Sequence, residues 1–280
     1  MGSSYNAFET IFDFHTHAFV DSLAERAVSA LAETSSRQPA TDGTVSGLLR
    51  TLRSNNISGG MLLPIATKPS QQHTINNWAA QVMQENDMLY SCGTVHPDAE
   101  DILDEVRRIS SLGLCGLKFH SEYQHFRPDE ERMLPVYRLA GELGLFVVFH
   151  GGWDPFGTGD VLAKPCTFAH IAPLCPETTF IAAHMGGLQM FDEAEEQLAG
   201  RYGNVYLDTG VVSGYISDGQ LLRMIRKQGA ERILFGSDVP WDPPENEIAM
   251  IKRIGLTAEE RELIFRGNAA RLLRASGRIK

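Results

Sequence analysis

Ile11-Phe12-Asp13-Phe14-His15-Thr16-His17 carries two histidines one residue apart at the end of a mostly apolar run. In an extended chain residues i and i+2 point to the same side, so both imidazoles are presented together. Neutral imidazole is a favoured ligand of zinc and similar divalent ions. A lone His-x-His pair is equally compatible with an ordinary strand end. Repetition of the pattern later in the chain turns the reading toward chemistry.

Lys118 and His120 close one apolar run, His150 a second, His184 a third, and Asp238 a fourth. Polar groups held by such runs are costly to desolvate unless they find partners. Histidines and a carboxylate brought to one place form a ligand set for a divalent ion, and His15, His17, His150 and Asp238 are expected to share one. The alternative is a hydrogen-bonded polar rim without a metal.

The elements that must bring these residues together follow a single rhythm. Apolar runs at 11–17, 57–65, 89–95, 115–120, 145–150, 179–184, 205–209 and 233–238 read as strands. Between and after them, stretches with helical spacing of apolar residues cover 21–31, 48–52, 76–85, 99–110, 132–143, 166–174, 189–199, 218–227, 245–254 and 258–273. The polar stretch 34–43 reads as a loop. Continuous apolar strands indicate burial on both faces of a parallel sheet. Eight strand–helix units predict a single-domain α/β protein of the (β/α)8 TIM-barrel class, in which all these polar residues reach the face formed by the C-terminal strand ends. An open doubly wound sheet is the competing arrangement. The barrel is expected to occupy 8–280, with 1–7 as an N-terminal extension.

Composition narrows the function further. The 280 residues include 35 acidic and 25 basic side chains, a net charge of -10, which offers no electrostatic case for nucleic acid or an anionic membrane. No apolar run is long enough to span a bilayer, and no basic start precedes an apolar leader. No glycine-rich nucleotide loop follows the first strand. The four cysteines form no Cys-x-x-Cys pair, and a reducing cytoplasmic setting is expected. A homodimer suits such barrels.

Asp13-Phe14-His15-Thr16-His17, Phe149-His150-Gly151-Gly152, Ala183-His184-Met185-Gly186-Gly187 and Gly236-Ser237-Asp238-Val239-Pro240-Trp241 together resemble the amidohydrolase superfamily. Within it they are most similar to the amidohydrolase-related branch that includes aminocarboxymuconate semialdehyde decarboxylase and related hydrolases. The terminal stretch Gly267-Asn268-Ala269-Ala270-Arg271-Leu272 resembles that branch as well. The resemblance implies His15, His17, His150 and Asp238 as metal ligands, Asp238 as the acceptor of a water proton, and His184 facing the substrate. It implies one ion, zinc or manganese, rather than two. In two-metal members a carboxylated lysine bridges the ions, and Lys118 and His184 would then join the ligand set. Otherwise Lys118 and His120 would bind a substrate carboxylate or carbonyl, with Glu122, Trp153 and Trp241 as further substrate contacts. The expected activity is metal-dependent hydrolysis of a C–N or C–O bond (amide, lactone or ester) in a small carboxylate-bearing molecule. Non-oxidative decarboxylation of an aromatic or unsaturated acid is the alternative on the same site.

Overall fold

The computed structural model describes residues 10–35, 38–154 and 159–277, so the expected extension at 1–7 lies outside the described residues. The strands are β1 (Ile11–Thr16), β2 (Ile57–Leu62), β3 (Leu89–Ser91), β4 (Gly116–Phe119), β5 (Phe146–Phe149), β6 (Phe180–Ala182), β7 (Val205–Asp208) and β8 (Ile233–Leu234). Each pairs in parallel with the next within the runs β1-β2-β3 and β4-β5-β6-β7-β8. Backbone bonds just beyond the strand ends join these runs. Gly93 N–H reaches Gly116 O at 2.8 Å and Lys118 N–H reaches Gly93 O at 2.8 Å. On the other side Phe14 N–H donates to Phe235 O at 2.7 Å, and Asp238 N–H to His15 O at 2.8 Å. The ring of strands is thereby closed into the (β/α)8 barrel.

The helices are α1 (Asp21–Ser35), α2 (Val45–Ser54), α3 (Gln72–Glu85), α4 (Ile102–Ser111), α5 (Ser121–Gln124), α6 (Leu134–Glu142), α7 (Pro165–Leu174), α8 (Phe191–Gln197), α9 (Asp218–Gln228), α10 (Pro244–Arg253), α11 (Ala258–Glu262) and α12 (Asn268–Ala275). Two departures from the sequence expectation matter. The first helix continues through Thr34 and Ser35, where a loop was expected, because Ala32 and Glu33 are good helix formers. The expected final helix is interrupted by a π-turn over Leu263–Gly267. There the carbonyl of Ile264 accepts from Phe235 N–H at 3.0 Å, so a helix carbonyl serves the barrel wall.

Alternation along the strands builds two layers. Val147 and Phe149 of β5 pack outward in the main core with Leu117, Phe119, Phe180 and Leu207. Phe146 and Val148 point inward and pack with Phe14, Met61, Cys92 and Ile181. Ala269, Leu272 and Leu273 of α12 join this inner layer and close one end of the barrel. The other end is left for the polar strand ends. All four cysteines are free thiols. Among the described residues no helix is long and apolar enough to cross a membrane.

Strand β1 departs from simple alternation where it matters most. Asp13 pairs with Gly60 and Thr16 with Leu62, so three steps of β1 oppose two of β2. Such an extra residue re-aims side chains. It lets Phe12 and Phe14 fill the inner layer while His15 and His17 still reach the open end.

The closure at β8 depends on Asn268, which is fully buried and donates from Nδ2 to Ala230 O at 2.7 Å and Ile233 O at 2.6 Å. Asn268→Ala strands two buried carbonyls and is expected to cost about 1–3 kcal/mol of stability. Urea unfolding checks this, and a loss indistinguishable from zero would contradict the assigned role.

Candidate metal centre

The ends of β1 and β8 bring three donor atoms into a tight triangle. His15 Nε2 and His17 Nε2 are 3.2 Å apart, and Asp238 Oδ1 lies 3.3 Å from the first and 3.1 Å from the second. The tautomers follow from what lies behind each ring. His15 Nδ1 meets Asp208 Oδ2 at 2.9 Å, and His17 Nδ1 meets the carbonyl of Leu63 at 2.9 Å. Both partners are acceptors, so each Nδ1 carries the proton and each Nε2 keeps its lone pair. Two lone pairs and a carboxylate oxygen therefore face one another.

That donor set fits a divalent ion. A tetrahedral ion with bonds of about 2.0–2.1 Å holds neighbouring donors about 3.3 Å apart, close to the spacing of these three atoms. The carboxylate and carbonyl behind the two imidazoles are the kind of outer support that fixes ring orientation in metal sites.

Protonation is set by burial. Desolvation lowers the His15 pKa to about 4, against the pull of Asp208, and so keeps the ring neutral. Burial also takes His120 and His150 well below the usual imidazole range, helped at His120 by Lys118 and at His150 by His120. Burial opposes ionisation of Asp208 and Asp238, yet the neighbouring histidines hold both below the usual carboxylate range. Burial lowers Lys118 as well, with Asp208 and Asp238 acting in the other direction.

The surroundings are built to hold this geometry. Asp208 Oδ1 accepts from the backbone N–H of His184 at 3.0 Å and of Gly210 at 3.0 Å, so one carboxylate ties β7 to His15 and His184. Asp13 accepts from Ser237 Oγ at 2.5 Å and from the N–H groups of Ser237 and His15, pinning β1 to β8 beside Asp238. His184 and Asp238 sit at φ of +57° and +67°, a left-handed conformation uncommon outside glycine. The backbone also approaches His15 closely. A Cβ on Gly236 would come within 2.6 Å of His15 Cβ, which leaves room only for glycine.

The remaining predicted residues fall into two groups. His184 Nδ1 meets the carbonyl of Gly210 at 2.8 Å, so its Nε2 is an acceptor, 3.0 Å from His150 Nδ1. The His150 proton lies on that Nδ1, and its Nε2 is buried without a hydrogen bond among the described residues. His150, His120 and Glu122 also bring one donor atom each within 4.8 Å of one another. A shared ion does not suit them. The rings of His120 and His150 are stacked at 4.3 Å and 12°, so their in-plane lone pairs run side by side rather than converge. Tyr123 continues the stack on His120 at 3.7 Å and 5°.

A cavity of about 750 Å³ opens over the centre, lined by His15, His17, Lys118, His120, His150, His184, Asp238 and Trp241 among others. Glu122 and Trp153 are not part of that lining. Glu122 accepts from the backbone of Leu162 at 2.9 Å and so braces the adjoining loop, and Trp153 is 38% exposed. The sequence reading missed the helical wall of the cavity, to which Leu23, Arg26 and Trp78 belong. The one signal available was Leu23, an apolar residue beside polar neighbours at the start of a helix.

A family model described as Amidohydrolase matches residues 12–275, and the chain belongs to that family. No curated protein matches the chain in sequence. Among solved structures, an uncharacterized TIM-barrel protein from Bordetella bronchiseptica superposes with a TM-score of 0.78 at 17% identity, covering 96% of this chain and 100% of that one. A dihydroxybenzoic acid decarboxylase from Polaromonas sp. JS666, with bound manganese and the inhibitor 2-nitroresorcinol, gives 0.72 at 15% identity over 95% and 97%. A putative 2-pyrone-4,6-dicarboxylic acid hydrolase from Pseudomonas putida gives 0.68 at 20% identity over 95% and 98%. Identities this low show a shared fold, and within it both decarboxylases and a hydrolase. As a member of this family the chain is a metal-dependent enzyme.

Two outcomes follow from the geometry. Asp208→Asn removes the acceptor behind His15 and is expected to weaken divalent-ion affinity about 10–100-fold, read by competition with a chelating dye; unchanged affinity would contradict the support role. The second concerns acid. In metal-free protein the depressed His15 pKa means that the unfolded chain binds the extra proton. Its contribution is present above pH 6.5, is lost as pH falls toward about 4, and amounts to about 3 kcal/mol. His120 and His150 act in the same sense. Asp13, pushed up by burial to about 7, and Glu247, raised by burial well above the usual carboxylate range, oppose them across that interval. His15→Asn isolates the His15 share: in unfolding titrations of the two metal-free proteins the wild type should lose about 3 kcal/mol more than the variant between pH 6.5 and 4, and parallel curves would contradict it.

Proposed function

We propose that this protein is a metal-dependent hydrolase that uses a water molecule to open a C–N or C–O bond in a small carboxylate-bearing substrate. The observation that carries the reading is the buried triangle of His15, His17 and Asp238, three facing acceptors with no proton to share. These residues would hold one zinc or manganese ion, with His150 as the fourth ligand. Such an ion supplies Lewis acidity, lowering the pKa of water and polarising a carbonyl.

The chain's own groups do the rest. Asp238, ionised at neutral pH, accepts the proton of the attacking water and returns it to the leaving group. His184 accepts at Nε2 from the Nδ1–H of His150 and so holds the tautomer in which His150 Nε2 keeps its lone pair for the ion. The Lys118 ammonium, held at the mouth with His120, pairs with the substrate carboxylate. Trp241 offers a planar wall beside Asp238. Lys118 in this role needs no carboxylation, and one ion suffices.

Decarboxylation is the second reading. It is favoured by the mostly apolar cavity wall and by the fold shared with a manganese-bound decarboxylase. There Lys118 and the ion would hold the acid, and a protonated histidine would deliver the proton that replaces carbon dioxide.

The readings separate in one assay. Purified protein supplied with zinc or manganese is given a panel of lactone, ester and aromatic acids, and carbon dioxide release is followed alongside ring opening. Hydrolysis without carbon dioxide is expected. Carbon dioxide release from an acid with no hydrolysis would establish the second reading. Asp238→Asn should lower kcat by at least about 100-fold with the fold retained, and near-normal turnover in that variant would refute the assigned role.

A further inference from the structure

The cavity is larger than the metal centre requires. At about 750 Å³ it lies in the upper part of the range of small-molecule pockets, about 300–1,000 Å³. Its polar groups are gathered at the strand ends. The opposite walls are helical. α1 contributes Leu23, Arg26, Ala27 and Ala30, spaced as one stripe of a helix, and α3 contributes Ile75 and Trp78. Phe19 and Val20 continue the wall toward His17.

This stripe faces open space rather than the core. Leu23 is 56% exposed, more than any other large apolar side chain among the described residues. A contiguous apolar wall at the edge of a cavity marks a surface that a ligand covers. Among the described residues, small side chains at Ala27 and Ala30 leave the space between the helices open, and Trp78 of α3 lines it as well. Arg26 is exposed and sits where this space meets solvent, its stem adding apolar surface and its head remaining in water.

We propose that the space between α1 and α3 binds an apolar extension of the substrate, so that the substrate is an acid bearing an alkyl or aryl substituent several carbons long rather than a bare single-ring acid. This rests on the reading above only in placing the reacting end at His15, His17 and Asp238. The extension then runs along Phe19, Ala27 and Trp78 toward Leu23.

The test is a binding series. Benzoate and its para-ethyl, para-butyl and para-hexyl derivatives are titrated into the full chain by calorimetry, with manganese supplied and again after chelation. Affinity is expected to rise about fourfold per methylene, the gain for burying each one. In Ala27→Trp, which fills the space, the rise should flatten. Leu23→Asp changes an exposed position that needs no repacking, and should reduce the gain for the longest member. A flat series in the wild-type chain would overturn the proposal, as would an unchanged rise in both variants. Chelation separates the two readings. It should lower the affinity of every member by a common factor and leave the rise per methylene intact. A rise that persists while chelation has no effect would support the apolar site and overturn the metal reading alone.

Discussion

Three atoms with lone pairs and no proton between them lie 3.1–3.3 Å apart at the floor of the cavity, on two buried residues, His15 and Asp238, and a half-buried one, His17. Like partial charges at that distance repel, and the low dielectric around them strengthens the repulsion. A chain does not collect such atoms by accident. The hydrogen bonds from His15 Nδ1 to Asp208 and from His17 Nδ1 to the Leu63 carbonyl remove the freedom by which either ring could turn its proton inward and relieve the strain. A cation at the centre converts the repulsion into coordination. Protonation of one imidazole is the alternative, and burial of His15 works against it there.

That arrangement begins in the backbone. The extra residue in β1 turns both histidines to the mouth without removing Phe12 and Phe14 from the inner layer. Asp13 fastens β1 to Ser237, one residue before Asp238, so the two sides of the triangle move as one piece. Gly236 permits β8 to pass close behind His15. His184 and Asp238 adopt left-handed backbone conformations, which tight hydrogen bonding on either side sustains. Beyond the centre Tyr123, His120 and His150 form a stack of rings, and the buried Lys118 lines the same cavity beside them.

Much of this was legible in the sequence, and the limits have physical causes. Strands buried on both faces are apolar without interruption, so 145–149 and 180–183 identify themselves, and the polar residue ending each one stands out. Asp208 ends the apolar run 205–209 in the same way, and it lies behind His15. Loop residues were harder. Glu122 follows β4 on a short helix, where one carboxylate oxygen accepts from Leu162 N–H and the other lies 3.4 Å from His120 Nδ1. Trp153 follows His150, outside the cavity lining and partly exposed. Neither outcome has a periodicity to reveal it. The extra residue in β1 was hidden for a related reason: a register shift depends on the partner strand, and one strand's alternation does not encode it. The cavity wall from α1 looked like any amphipathic helix, because a stripe facing a ligand and a stripe facing a core share one pattern.

The most direct test of the central claim is the metal content of the purified protein after equilibrium dialysis against zinc or manganese, measured by mass spectrometry for wild type and for His17→Ala. One ion per chain is expected in the wild type, with occupancy lost in the variant. A wild-type chain that retains no ion, or a variant that binds as well as the wild type, would contradict it.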